Sequence, residues 1–233
     1  MTELDKQLED LFDAFEVVDL HPDLIRHVYE GELGRILHHP LVIDPFFSPH
    51  MHKMANRQYE SKMEALARAT LADDWHSVVF LHERPYRINA FADIAETLND
   101  QEYWELLSSI WLDTESLSSD QDAWTEMLEA DRSGRALHMM DEVDWAYWHD
   151  LPEQVTVYRG YNADEGNPSG LSWTLDRERA EWFATRFHRD GVVLTATVPK
   201  GVIIAALLGR GEQEVIINPE DIPNFHETYI EAG

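Results

Sequence analysis

Cysteine is absent from all 233 residues, which excludes a disulfide framework, a thiolate metal site and thiol catalysis. Positive charge is scarce: 18 Lys and Arg stand against 45 Asp and Glu, for a formal charge of −27. Such a surface repels phosphate backbones and anionic membranes at long range, so nucleic acid is a disfavoured partner and no membrane is expected. No apolar run approaches the roughly 20 residues of a membrane span. The start of the chain, Met1 to Asp5, lacks the basic and apolar regions of a secretory signal, so the expected location is cytoplasmic.

Several motifs are missing as well. Gly166 to Gly170 and Gly209-Arg210-Gly211 give neither a P-loop nor the strand-GxGxxG-helix fingerprint, so any dinucleotide is held in another manner. No Gly-x-Ser-x-Gly elbow occurs, and no period of repeats or low-complexity tract runs through the chain. Twelve histidines raise the question of a metal. Their spacing argues against one: His38 and His39 are adjacent and point apart on regular structure, and His82-Glu83 lacks the second histidine of a metalloprotease helix. No metal is expected.

What is present suffices for a core without staples, and eight tryptophans contribute to it. Leu4, Leu8, Leu11, Phe12, Phe15 and Val18 recur at helical spacing, with acidic residues on the other face. A second helical stretch starts near Pro22 and carries Leu24, Ile25, Val28 and Tyr29, and 38–49 reads as a Pro-rich connection. Further helices are expected at about 50–72, 74–81, 85–98, 101–112, 120–129, 134–140 and 142–149. Trp75, Trp104, Trp111, Trp124, Trp145 and Trp148 fall in this half and read as core.

After Leu151-Pro152 the period changes. Val155, Val157, 191–198, 202–207 and 215–217 are β-branched runs bounded by Gly, Pro or Asn, as strands are. One amphipathic helix, 176–187, interrupts them, with Ala180, Phe183, Ala184 and Phe187 on one face. The expected fold class is α+β: a mostly helical part over 1–150, followed by a small β-rich part over 151–233.

Three short stretches in the β-rich part carry chemistry. Arg159 ends an apolar strand and precedes Gly160. Ser172 and Thr174 alternate with Trp173, so on a strand both hydroxyls face one way. Glu212 and Glu214 would likewise share a face, two like charges that need a cation or a ligand hydroxyl. Each alone is ordinary strand chemistry.

Taken together, Tyr158-Arg159-Gly160, Ser172-Trp173-Thr174, Ala180-Glu181-Trp182-Phe183 and Glu212-Gln213-Glu214 resemble, in that order, the arginine-serine-glutamate (cholera-toxin-like) mono-ADP-ribosyltransferases. The match spans about Val155 to Ile217; the departure is Trp173, where many members carry a small residue. The chain also resembles predicted phage or prophage reading frames. The resemblance implies an ADP-ribosyltransferase-like split β-sheet core, with the helical region completing an NAD cleft or recognising a target. NAD is the implied co-substrate. Arg159 would clamp its phosphates, Gly160 would admit the nicotinamide amide to the backbone, Ser172 would hold a ribose and orient Glu214, and Thr174 would support the strand edge. Phe183 or Trp182 would stack near nicotinamide, against the alternative of core packing. Glu214 would stabilise an oxocarbenium-like ribose, and Glu212 would serve the acceptor, an arginine of a protein.

Two other readings stand beside this one. ADP-ribose could pass to a nucleic-acid base or to water. In a different class, a non-catalytic acidic protein could mimic DNA or neutralise a basic partner, which would account for the charge without any active site.

Overall fold

A computed structural model describes residues 17–32, 34–114, 120–164, 166–209 and 211–232. The chain divides into two compact units, Met1–Ile94 and Ala95–Gly233. The change from helix to strand near residue 150 is therefore a change of secondary structure inside the second unit.

The first unit is not all helix. Helix α1 (Pro22–Ile25) is a single turn, opened by Pro22 and capped by His21, whose side chain accepts from the N–H of Asp23. A three-stranded antiparallel sheet follows: β1 (Val28–Gly31), β2 (Gly34–His39) and β3 (Val42–Asp44). The expected helix through Tyr29 and the expected connection over 38–49 are both corrected here. In β2 the inward positions are Leu37 and His39, so a histidine occupies one of the places where an apolar residue would have announced the period of two. Leu24, Leu37, Leu41, Val42 and Phe47 form a small core with Ala55 and Tyr59 of α2 (His52–Leu71). Pro49 opens a short 3-10 turn before α2, consistent with the start signal at Ser48-Pro49. Helices α3 (Trp75–Phe80) and α4 (Arg87–Ile94) complete the unit. The amphipathic segment beginning at Leu4 lies outside the described residues up to position 16.

The second unit opens with α5 (Asp100–Asp113), which carries a capping box between Asn99 and Glu102. Helices α6 (Gln121–Leu128), α7 (Arg135–His138) and α8 (Glu142–Asp150) follow close to their expected places. Trp104, Trp111 and Trp124 are buried as expected of core residues, whereas Trp145 is 38% exposed, a correction.

A six-stranded antiparallel sheet then forms from β4 (Gln154–Asn162), β5 (Ser172–Thr174), β6 (Gly191–Pro199), β7 (Ile203–Leu207), β8 (Glu214–Ile217) and β9 (His226–Ile230), in the order β7-β8-β5-β4-β6-β9. Helix α9 (Arg177–Thr185) packs on β4 and β6 through Ala180, Ala184 and Val193. Small residues bring the helix very close: a Cβ on Gly160 would fall 1.7 Å from the carbonyl oxygen of Ala180, and one on Gly191 would fall 2.1 Å from that of Ala184. The protein is thus α+β. Among the described residues no helix is long and apolar enough to cross a membrane, and no group of three or more His, Asp or Glu is arranged to hold a metal ion.

Candidate active site

Strand order brings the three chemical stretches together. β4, β5 and β8 are neighbours, and their register sets Tyr158, Thr174 and Glu214 in one cross-strand row. Ser172 pairs with Ile216, so its hydroxyl lies diagonally across from Glu214 on the same face. The Ser172 hydroxyl donates to Oε1 of Glu214 in a short hydrogen bond. Glu214 is only 8% exposed, because it begins a strand that is otherwise wholly apolar and buried.

Arg159 leaves β4 and reaches across to the same place. Its Nη1 donates to the carbonyl oxygen of Ser172 at 2.5 Å, and Nε and Nη2 both donate to that of Asn167, at 3.1 and 2.9 Å. Burial draws the guanidinium down to a pKa of about 10, while Glu214 and Tyr161 act in the opposite direction, so it stays charged at neutral pH. Gly170 makes room for it, since a Cβ there would fall 2.0 Å from Nη2. The 166–170 turn is itself tied to α6: Asn167 donates to the Gln121 side chain at 2.8 Å, and Gln121 donates back to the carbonyl oxygen of Ser169. A continuous relay therefore runs from Gln121 through Asn167 and Arg159 to Ser172 and Glu214. Arg159 spends its fork on backbone carbonyls, so positioning the Ser172 edge is its first task.

The expected shared face of Glu212 and Glu214 is corrected. Gln213 has φ of 45°, which interrupts the extended run, and β8 begins only at Glu214. Glu214 turns to Ser172, whereas Oε1 of Glu212 lies 3.9 Å from Nη2 of Arg179. Thr174 holds this turn: its hydroxyl donates to the carbonyl oxygen of Glu212 at 2.6 Å and accepts from the N–H of Asp176 at 3.0 Å. Trp173 is buried on the other face and donates from Nε1 to the carbonyl oxygen of Gly170, so its bulk leaves the hydroxyl face clear.

These groups line a cavity of about 750 Å³, within the range of roughly 300–1,000 Å³ usual for small-molecule sites. Arg159, Gly160, Ser172, Thr174, Phe183, Glu212 and Glu214 all border it. Trp182 borders it too and is 52% exposed, so it is not core. Sequence reasoning missed part of the lining, Trp111, Thr114 and Gln121, and the cationic rim, Arg186 and Arg189. A signal for the rim existed: Arg186-Phe187-His188-Arg189 is a basic and aromatic run in a chain poor in cations. The backbone there is unusual, with φ of 68° at Phe187 and 54° at His188, and Phe187 is 79% exposed. Such conformations cost about 1–3 kcal/mol each and gather at binding sites.

Comparison of the chain with protein-family models, curated proteins and solved structures finds no match.

Proposed function

We propose that the protein transfers ADP-ribose from NAD to an arginine side chain of a protein, releasing nicotinamide. The observation that carries this reading is the meeting of Arg159, Ser172 and Glu214 on adjoining strands at one cavity, with the Ser172 hydroxyl bonded to the Glu214 carboxylate. The resemblance in sequence demanded that convergence of residues up to 55 positions apart in the chain. On the same reading the six-stranded sheet and α9 form an ADP-ribosyltransferase-like core, and α5 and α6 complete its cleft.

The residues present suit the substrate. The cavity has the size for a dinucleotide in part or whole, and Arg186 borders it as a cation suited to a diphosphate in an otherwise acidic molecule. The exposed aromatic ring of Phe187, which borders the cavity, suits a pyridine ring. Nicotinamide leaves with the electron pair of the ribose C1′–N bond and so departs neutral, without a general acid. Positive charge grows on the ribose, and Glu214, fixed by Ser172 in a poorly hydrated setting, stabilises it where it develops. A guanidinium nitrogen of the acceptor then forms the new bond to C1′, and Glu212 takes its proton. Gly160 owes its missing side chain to α9, so any approach of the amide to its backbone is a second use of a position already required for packing.

The test is release of free nicotinamide from NAD, repeated with Glu214→Gln, together with labelled NAD and a protein acceptor. Label freed by hydroxylamine identifies arginine. Label found only on nucleic acid would sink the choice of acceptor, and absence of nicotinamide with or without lysate would favour the non-catalytic acidic protein.

A further inference from the structure

Arg179 of α9 lies where three kinds of cation-binding group converge. Its Nη2 is 3.5 Å from the carbonyl oxygen of Gly211 and 3.9 Å from Oε1 of Glu212. Its guanidinium carbon stands 5.3 Å from the centre of the Trp182 ring and 6.0 Å from that of Phe183. A carboxylate, a carbonyl oxygen and two ring faces together match a planar guanidinium, and they repel any anion. Three of the four contributing residues, Glu212, Trp182 and Phe183, border the cavity.

The internal contact is also weak. The two side chains are 28% and 23% exposed, and the separation exceeds that of a good hydrogen bond. A partly exposed ion pair at this separation contributes little, and ring contacts of this kind add about as little. An incoming guanidinium can therefore replace the resident one at little net cost, and the charge beside Glu212 is conserved in the exchange.

We propose that Arg179 fills, until an acceptor arrives, the subsite that receives the acceptor's guanidinium. The subsite is the Glu212 carboxylate and Gly211 carbonyl oxygen faced by Trp182 and Phe183. The inference rests on the transferase reading for the chemistry that follows binding. Its consequence is selective: apparent affinity falls by the fraction of time the subsite is open. Small free guanidines compete poorly against a tethered arginine, whereas an arginine presented on a protein surface adds contacts of its own and displaces it.

The experiment is calorimetric titration of the full chain with agmatine, a minimal guanidine, at about 0.15 M salt to suppress non-specific attraction. Arg179→Gln is expected to tighten binding about fivefold, as removal of an occupant filling the site most of the time requires. Arg179→Ala, a second variant, moves the same way, and adding Glu212→Gln removes the gain. Unchanged or weaker binding in both Arg179 variants overturns the proposal, as does a gain that survives Glu212→Gln. Nicotinamide release, followed on the same samples, judges the transferase reading separately: binding as expected without any release would refute that reading and leave the subsite standing.

Discussion

The two compact units treat their polar interior differently. In the first, polar groups close on protein: His38 meets the Tyr86 hydroxyl at 2.7 Å, Lys62 pairs with Glu83, and the buried His39 accepts the N–H of Leu41. In the second, the relay from Gln121 to Glu214 ends at groups that border a cavity. The same requirement that buried polar atoms be hydrogen-bonded thus yields a rigid scaffold in one unit and an oriented carboxylate in the other. Satisfaction of polar groups is common to both; convergence on open space distinguishes a site.

The sharpest way to break this contrast is to neutralise the end of the relay. Glu214→Gln keeps the shape and the Ser172 contact but removes the charge; nicotinamide release is expected to fall about 100- to 1,000-fold with the thermal midpoint little moved. A parallel collapse in stability would mean that the carboxylate serves the fold. Gly160→Ala comes next, through packing alone. The new methyl group meets helix backbone at 1.7 Å, so a loss of about 3 kcal/mol is expected in urea unfolding with the slope unchanged.

The first unit has its own test, through pH. Burial above all, then the charges of His27 and Arg26, lower the pKa of His39 to about 4 from 6.5. Above pH 6.5 neither the folded nor the unfolded chain protonates it, so it contributes no pH dependence. Between 6.5 and about 4 the unfolded chain binds a proton that the folded chain refuses, so stability falls with pH, by about 3 kcal/mol across that window. Amide exchange over 34–44, corrected for intrinsic rates, should report this loss, and His39→Asn should flatten it. Exchange that is indifferent to pH, or a slope retained in the variant, would assign the acid response elsewhere. The smallest effect is that of Ser172→Ala, which frees Glu214 to reorient; nicotinamide release should drop about tenfold at near-constant stability.

Much of the second unit could be read directly. The expected strands 191–198 and 202–207 and the expected helix 176–187 fall within a few residues of β6, β7 and α9, because β-branched runs and an Ala-x-x-Phe helix announce themselves by period. The three stretches of the site were each ordinary strand chemistry by period and stood out only as an ordered set, through the resemblance. The sheet at 28–44 was not, because His39 interrupts the apolar alternation, and β9 was not, because its residues are polar or half-exposed along an edge. Gln121 and Asn167 carried no local mark at all, and Trp111 was marked only as core; their place in the cavity wall depends on partners far away in sequence.

Residue pattern alone determined that the second unit would combine helices with short β-branched strands, and which cation, hydroxyls and carboxylates were candidates for chemistry. Tertiary structure decided what each of them touches: that Arg159 holds backbone carbonyls, that Glu212 and Glu214 part company at Gln213, and that Gly160 answers to a helix. The reason is range. Periodicity records which side of its own element a residue faces, whereas strand register, a single positive φ and the approach of a distant helix are set by contacts that no local window contains.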